Sequence, residues 1–232
     1  MIKFDKVTKI YPTHSSNGSP TAVLQDISLE IKEGEFVSII GKSGAGKTTL
    51  TRLVLGLEEP TYGEVYFRNK NIRIAKPSEI QNIRRSIGGI YQDYKLLPAK
   101  TVYENVAYVL EVKGSSHGEI KKEVQKVLEL IGLREKGNNF PKELSGGEQQ
   151  RLAIARALVI HPKIIIADEP TGNLDPYNTY EVISLLEKIN KAGTTVILLT
   201  HNREIINKLQ KRVVTLVGGK IIRDEAEGKF II

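Results

Sequence analysis

The sequence Gly41-Lys42-Ser43-Gly44-Ala45-Gly46-Lys47-Thr48-Thr49 decides the fold of this 232-residue chain. It matches the pattern G-x-x-x-x-G-K-[ST]. The apolar, β-branched run Phe36–Ile40 precedes it as a buried strand should, and Thr49–Leu55 follows it with helical spacing of apolar residues. The backbone N–H groups of such a turn and the positive end of the next helix face an anion. The sequence therefore predicts a phosphate-binding loop over residues 41–49.

Two side chains carry the chemistry of this loop. Lys47 is expected to reach the β- and γ-phosphates of a nucleotide, and the Thr48 hydroxyl is expected to bind Mg²⁺. The alternative is a glycine-rich turn that binds nothing. The flanking strand and helix disfavour that alternative, so we expect a nucleotide and Mg²⁺ here.

The composition indicates a globular protein of one or two domains. Hydrophobic residues make up 40% of the chain, 34 basic residues outnumber 27 acidic ones, and cysteine is absent. The lack of cysteine excludes disulfides and thiol metal sites and favours a reducing compartment. The N-terminus lacks the apolar segment of a secretory signal, and no apolar run approaches the roughly 20 residues that span a bilayer. We expect a soluble, intracellular protein with at most a peripheral membrane role.

The excess of positive charge is concentrated between Arg68 and Lys100, where eight basic residues face only Glu79 and Asp93. Three interpretations compete: a nucleic-acid patch, a face turned to anionic lipid, and an ordinary solvated surface. No zinc module, recognition helix or RNA-stacking motif accompanies the patch. An anionic membrane surface therefore ranks above nucleic acid, which we do not expect as a partner.

The periodicity of apolar residues predicts an α/β fold. Strands are expected at 2–10, 23–31, 36–40, 65–67, 87–91, 164–167, 195–199, 213–217 and 220–222. Helices are expected at 49–55, 77–85, 102–112, 119–131, 148–160, 177–190 and 204–209. Turn residues predict a loop at 13–20, turns at 33–34 and 61–63, and a hairpin at Gly218-Gly219. Because no strand interrupts residues 93 to about 161, this segment is expected to be a helical insertion.

Two carboxylates follow the apolar strand at 164–167. Ligands of parallel sheets bind at the carboxyl ends of the strands, so Asp168 is placed to hold Mg²⁺. Glu169 is expected on the other side of the strand, where it could accept a proton from an attacking water. The alternative is a plain acidic strand end.

The stretch Leu144–Arg151 begins a helix, with Ser145 and Glu148 forming an S-x-x-E capping box. Capping does not explain the pair Gly146-Gly147 in the first turn, where glycine costs helix stability. Close approach of a second anion to the helix N-terminus would explain it. Since one nucleotide already has its own loop, we expect this helix end to serve a nucleotide held by another subunit.

The order of these motifs resembles that of the ATP-binding cassette (ABC) ATPases, and the resemblance covers essentially the whole chain. It implies a P-loop fold with a mixed, mostly parallel core sheet, an antiparallel β subdomain and a helical subdomain. The core would comprise residues 1–92 and 162–232, and the helical subdomain residues 93–161. It also implies hydrolysis of ATP to ADP and phosphate in a head-to-tail homodimer. Each ATP would lie between residues 41–49 of one copy and Ser145, Gly146, Gly147 and Glu148 of the second copy.

The resemblance also implies roles for four residues outside the main motifs. Gln92 would bind the Mg²⁺ site and link it to the helical segment, and His201 would contact the γ-phosphate. Asp175 would cross the dimer interface, and Tyr11 would stack on adenine. The alternatives are a surface Gln92, a His201 that caps a neighbour, an Asp175 that only begins a helix, and an edge-strand Tyr11. Two departures from the family pattern are Gly172-Asn173 before Leu174-Asp175, where Ser-Ala is common, and Asn202 after His201, where Asp is common.

A narrower resemblance, to the cell-division members of this family, lies in Tyr91–Pro98, Thr101–Val106 and Asn139–Pro141. It implies an integral membrane partner whose cytoplasmic helix enters a groove around Tyr94–Tyr103. The same apolar residues could instead be subdomain core. The loop Gly172–Asp175 is shared with lipoprotein-release and macrolide-export ATPases, so an exporter subunit is the alternative function.

Three other functional classes fit less well. DNA-repair relatives insert a long coiled coil between the two motifs, but only 98 positions separate Lys47 from Ser145 and no heptads occur. Ribosome-acting relatives carry two cassettes in one chain. A non-catalytic scaffold is disfavoured because Lys47, Glu169 and His201 are all present.

Overall fold

A computed structural model describes residues 1–12 and 20–231 of the chain. The predicted loop at 13–20 therefore falls almost wholly outside the described residues. The chain forms two compact units, which we call the first unit (residues 1–84 and 195–232) and the second unit (residues 85–194). The second unit contains the predicted helical segment 93–161 and extends beyond it on both sides. Within the described residues, no helix combines the length and the apolar character needed to cross a bilayer.

Every predicted strand and helix is confirmed, with ends displaced by no more than three residues. The strands are β1 (Ile2–Tyr11), β2 (Thr21–Ile31), β3 (Phe36–Ile40), β4 (Tyr62–Phe67), β5 (Lys70–Asn71), β6 (Ile87–Tyr91), β7 (Ile164–Asp168), β8 (Thr195–Thr200), β9 (Arg212–Val217) and β10 (Lys220–Glu225). The helices are α1 (Lys47–Val54), α2 (Pro77–Arg85), α3 (Val102–Lys113), α4 (His117–Leu130), α5 (Gly146–Leu158), α6 (Pro176–Lys191) and α7 (Arg203–Leu209). Two short 3₁₀ turns lie at Arg134–Lys136 and Pro141–Glu143.

An antiparallel sheet in the first unit has the strand order β2-β1-β4-β5. In this sheet β1 pairs antiparallel with β2 from Ile2↔Ile31 to Tyr11↔Thr21. The hairpin predicted at Gly218-Gly219 is confirmed elsewhere in the first unit, where β10 pairs antiparallel with β9 from Lys220↔Val217. The predicted turn at 61–63 is wrong, because Tyr62 and Gly63 already belong to β4. Gly63 has φ +77°, and a Cβ there would lie 2.3 Å from the Lys6 carbonyl oxygen. The glycine thus serves a close approach between strands rather than a turn.

The remaining strands of the first unit follow the order β10-β9-β3-β8. All five residues of β3 are buried, and β3 runs parallel to both β8 and β9. The pairing ends at Ile40↔Thr200. Because parallel strands end at the same edge, the loop after Ile40 and His201 after Thr200 emerge side by side.

In the second unit, β6 and β7 are parallel and their pairing ends at Tyr91↔Asp168. Gln92 and Glu169 therefore follow two paired residues at one sheet edge. Between these strands the chain is helical, as predicted for residues 93–161. Apolar residues of α3, α4 and α5 are buried, among them Val106, Val124 and Ile154.

Candidate active site

The phosphate-binding loop has glycine where the backbone requires it. A Cβ on Gly41 would lie 2.4 Å from the Leu216 carbonyl oxygen, so only glycine allows this approach to β9. Gly44 and Gly46 have φ of +78° and +105°, values that glycine adopts without strain. Gly46 is also packed closely, since a Cβ there would lie 2.9 Å from the Val23 carbonyl oxygen. The loop conformation is thus encoded by three of its residues.

Helix α1 begins at this loop with an open N-terminus. Its N-cap, Gly46, provides no side-chain hydrogen bond, and no acidic residue lies in the first turn. Helices α3 to α7 instead have side-chain caps from Thr101, Ser116, Ser145, Asp175 and Asn202. The Lys47 Nζ folds over the loop and donates to the Gly41 and Lys42 carbonyl oxygens at 2.6 and 3.3 Å. An uncapped helix end beside an ammonium group fits the phosphates of a nucleotide.

His201 lies at the end of β8 with an exposed side chain. The following residue, Asn202, accepts hydrogen bonds from the N–H groups of Glu204 and Ile205 at 3.0 and 3.2 Å and so caps α7. The departure from the family pattern at position 202 is therefore a helix cap. It leaves His201 on the same sheet edge as the phosphate-binding loop.

Tyr11 belongs to a polar cluster that the sequence did not predict. Its hydroxyl donates to Glu58, and Arg52 of α1 donates to the same carboxylate at 2.9 Å. The Lys9 ammonium lies 5.0 Å from the centre of the Tyr11 ring. Burial raises the pKa of Tyr11, and the hydrogen bond to Glu58 raises it further. Because 47 positions separate Tyr11 from Glu58, no local pattern could have indicated this contact.

In the second unit, Asp168 is the last residue of β7 and is partly exposed. Glu169 has φ +47°, so the chain leaves the strand at this residue in a left-handed conformation. The strand alternation on which the expected orientation of Glu169 rests therefore ends at Asp168. The turn continues through a hydrogen bond of 3.2 Å from the Gly172 N–H to the Glu169 carbonyl oxygen.

Gln92 contacts the loop that follows Glu169. Its Nε2 lies 3.4 Å from Asn173 Oδ1, and Asn173 Nδ2 donates to the Gln92 carbonyl oxygen at 3.2 Å. A Cβ on Gly172 would lie 2.8 Å from Gln92 Nε2. The second departure from the family pattern, Gly172-Asn173, thus makes room for Gln92 and holds its backbone.

The capping box at the start of α5 is confirmed. Ser145 Oγ accepts from the Glu148 N–H at 3.3 Å, and a Glu148 carboxylate oxygen accepts from the Ser145 N–H at 3.0 Å. The interaction with Lys136 lowers the pKa of Glu148, and burial opposes that shift.

The two glycines of this helix differ. A Cβ on Gly147 would lie 1.8 Å from Asn178 Oδ1, so packing alone accounts for this glycine and the inference of a second anion is not needed for it. Gly146 has only ordinary neighbours, at 3.4 and 3.7 Å. Asp175 caps α6 by accepting from the Asn178 N–H at 2.9 Å, which also lowers the pKa of Asp175.

The comparisons with known proteins agree with these features. Residues 24–172 match the family described as "ABC transporter". The chain belongs to the ABC transporter family. It is 48% identical to the cell division ATP-binding protein FtsE of Bacillus subtilis, over 99% of this chain and 98% of that protein. It is 45% identical to the methionine import ATP-binding protein MetN of Geobacillus kaustophilus, over 96% of this chain and 64% of that protein.

A solved structure supports the fold and the activity. It is described as the dimeric structure of a post-hydrolysis state of the ATP-binding cassette MJ0796 bound to ADP and Pi. It matches with a TM-score of 0.86 and 38% identity, over 99% of this chain and all of that one. The predicted α/β fold of the ABC ATPases is thereby confirmed. The chain is an ATPase of this family.

The residues proposed for Mg²⁺ suit an ion that takes most of its ligands from phosphates and water. Among residues 1–12 and 20–231, no group of three or more His, Cys, Asp or Glu side chains could hold a metal ion. Mg²⁺ commonly uses one or two carboxylates together with the phosphates of its substrate and water. The exposed Thr48 hydroxyl in the first unit and the partly exposed Asp168 carboxylate in the second unit are each ligands of the kind that such sparse ligation uses.

Carboxylates from outside the basic stretch Arg68–Lys100 add to the two already within it and offset part of its positive charge. Glu33 and Glu59, which lie outside it, pair with Arg68 and Arg73 at 2.6 and 3.7 Å. Lys70 pairs with Glu79, and Lys95 pairs with Asp93. Several of its charges are therefore balanced locally, which weakens its assignment to an anionic membrane surface.

The segment Tyr94–Tyr103 is held by a buried amide. Asn105 Oδ1 accepts from the Leu97 N–H at 2.9 Å, and the two N–H groups of its Nδ2 are shared among the carbonyl oxygens of Leu97, Lys100 and Thr101 at 2.9–3.1 Å. Leu96, Leu97 and Tyr103 are half-buried. These apolar side chains are partly exposed, as a docking groove requires, and partly buried, as the alternative of subdomain core requires.

Proposed function

We propose that the chain is the ATP-hydrolysing subunit of an FtsE-like membrane complex. Its partner would be an integral membrane protein resembling FtsX, and its output the control of cell-wall hydrolases during cell division. The observation that carries this proposal is the similarity to FtsE over nearly the whole length of both chains. The protein would be cytoplasmic and peripheral on the inner face of the cell membrane. Its contact with the partner would be the segment Tyr94–Tyr103.

We further propose that two copies close over two ATP molecules. Residues 41–49 of one copy would hold the phosphates, and Ser145, Gly146, Gly147, Glu148 and Asp175 of the second copy would complete the site. Support comes from the dimeric MJ0796 cassette bound to ADP and Pi and from the open N-terminus of α1. Each copy alone would hold an incomplete reaction centre.

The remaining residues have separate proposed roles. Glu169 would accept a proton from the attacking water, and His201 would contact the γ-phosphate. Thr48, Gln92 and Asp168 would hold Mg²⁺, which neutralises developing charge on the phosphates. Tyr11 would stack on adenine. The parallel strand registers support the roles of His201 and Gln92. They place His201 at the same sheet edge as the phosphate-binding loop, and Gln92 at the same sheet edge as Glu169.

The alternative is an ATPase subunit of a lipoprotein-release or macrolide-type exporter, because Gly172–Asp175 resembles those proteins. Co-purification from detergent-solubilised membranes would separate the two proposals. We expect a four-span membrane protein with a large extracellular domain to be retained by the chain. Retention of an exporter permease instead would favour the alternative.

A Glu169→Gln variant tests the dimer and the base together. The amide cannot accept a proton, so we expect intact ATP binding, little hydrolysis and an ATP-dependent dimer in light-scattering chromatography. Lys47→Ala is the control that should bind no ATP and stay monomeric. Normal turnover by Glu169→Gln would remove Glu169 from the base role. Turnover by a strictly monomeric protein, at a rate per molecule that is independent of concentration, would refute the shared site.

A further inference from the structure

The Tyr11 side chain is fixed by its neighbours, which we call the Tyr11 anchor: Lys9, Arg52 and Glu58. The hydroxyl of Tyr11 donates to Glu58. The same carboxylate accepts from Arg52 at 2.9 Å and lies 3.4 Å from the Lys9 ammonium. Only 17% of the Glu58 side chain is exposed, against 54% of the Arg52 side chain, so the carboxylate is largely covered while its Arg52 partner reaches solvent. All four residues belong to the first unit.

Lys9 covers one face of the Tyr11 ring, with its ammonium 5.0 Å from the ring centre and held in place by the Glu59 carbonyl oxygen at 2.8 Å. A cation over an aromatic ring is favourable, so Lys9 and a stacked base cannot share one face. Tyr11 is only half-buried, and its hydroxyl also interacts with Thr49 at the end of the phosphate-binding loop. The ring is therefore tethered beside α1 in one orientation.

We infer that Glu58 is a positioning residue for the nucleotide base, acting through Tyr11. The inference rests on the proposed function, in which Tyr11 stacks on adenine. A ring that is ordered before the nucleotide arrives avoids the entropy cost of immobilising a side chain on binding. That cost corresponds to a factor of about 2 to 10 in affinity. Glu58 is suited to this task because hydrogen bonds from Tyr11 and Arg52, together with the charge of Lys9, lower its pKa despite its burial and keep its carboxylate charged.

The test compares ATP with inorganic tripolyphosphate, which has the three phosphates but no adenosine. Dissociation constants for ATP and for inorganic tripolyphosphate are measured by calorimetry on the full chain. Glu58→Ala should weaken ATP about 2- to 10-fold and leave tripolyphosphate unchanged. Glu58→Gln should weaken ATP less than Glu58→Ala, because its amide oxygen still accepts from the Tyr11 hydroxyl but no longer attracts the charges of Arg52 and Lys9. Glu59→Ala, which removes the exposed neighbouring carboxylate, should change neither constant.

A double-mutant cycle shows whether Glu58 acts through the Tyr11 hydroxyl. Tyr11→Phe should weaken ATP about as much as Glu58→Ala, and the double variant should be no weaker than either single one. Equal loss of ATP and tripolyphosphate affinity in Glu58→Ala, additive losses in the double variant, or no loss at all would overturn the inference. An unchanged affinity for ATP in Tyr11→Ala would also overturn the inference. In that case loss of ATP binding in Lys47→Ala would still support the phosphate-binding loop. Survival of ATP binding in Lys47→Ala would instead refute the proposed function.

Discussion

Replacing Gly147 by alanine should destabilise the second unit, although alanine is the better helix former. A Cβ at this position would lie 1.8 Å from Asn178 Oδ1, 2.3 Å from its Cγ and 3.0 Å from its Cβ. The side chain of Asn178 would have to leave its place, and it would then lose its hydrogen bond to the Asp175 carboxylate. Packing between the start of α5 and the start of α6 therefore decides the outcome.

The size of the effect follows from two opposing terms. Alanine gains about 0.8–1 kcal/mol over glycine in a helix. Forcing extra atoms into a packed site costs about 1–3 kcal/mol. Gly146→Ala is the matched control, because its Cβ would meet only ordinary contacts at 3.4 and 3.7 Å. The two variants share the propensity gain, so their difference isolates the packing cost and should be about 2 kcal/mol.

Thermal unfolding followed by circular dichroism measures this difference. For a protein of this length about 2–4 °C corresponds to 1 kcal/mol, so Gly147→Ala should melt about 4–8 °C below Gly146→Ala. Adding Asn178→Ala to Gly147→Ala should recover most of the loss, because it removes the two closest clashing atoms. Equal melting temperatures for the two glycine variants would show that packing against Asn178 does not explain Gly147.

Two further predictions concern charged groups. The Arg212 side chain is 18% exposed and pairs with Glu35 at 2.8 Å and with Asp224 at 2.7 Å. Arg212→Ala should therefore lower the free energy of unfolding, measured by urea denaturation, by about 2–3 kcal/mol, which is less than the loss from breaking a fully buried ion pair. The control Arg223→Ala breaks a pair with Glu225 and should lower the free energy of unfolding by no more than about 0.5 kcal/mol. Equal losses in the two variants would contradict a stabilising role for the Arg212 pairs. Lys136 lowers the pKa of Glu148 below its ordinary value of 4.5, so the stability from this carboxylate is present above pH 4.5 and lost as pH falls through the lower folded-state pKa. In Glu148→Gln the free energy of unfolding should therefore fall less steeply at acid pH than in the unmodified protein. Parallel curves of this free energy against pH for the variant and the unmodified protein would show that Glu148 is not the cause.

Local signals account for the parts of the fold and site that the sequence predicted correctly. The phosphate-binding loop and the capping box of Ser145 are built from residues within nine positions of one another, and their contacts repeat the pattern that identifies them. The placement of His201 needs one step more, namely that it follows a strand parallel to β3. These features are readable because neighbouring residues determine them.

The incorrect or missing predictions depend on partners far apart in the sequence. Glu58 meets Tyr11 across 47 positions, and Asn173 meets Gln92 across 81. Gly63 resembles a turn residue until β1 is seen beside it, and nothing in the residues around Glu169 indicates its left-handed conformation. Tertiary contacts determine the first three of these features, and the periodicity of apolar residues carries no information about such contacts.

The two departures from the family pattern can be understood together. Asn202 and Asn173 are both amides that stabilise backbone beside a residue with a proposed catalytic role. Asn202 caps α7 after His201, and Asn173 holds the backbone of Gln92. An amide donates and accepts without carrying charge, so it fixes the backbone while leaving the local electrostatics to its catalytic neighbour. The substitutions therefore alter the support of the site, and the groups proposed for its chemistry are retained.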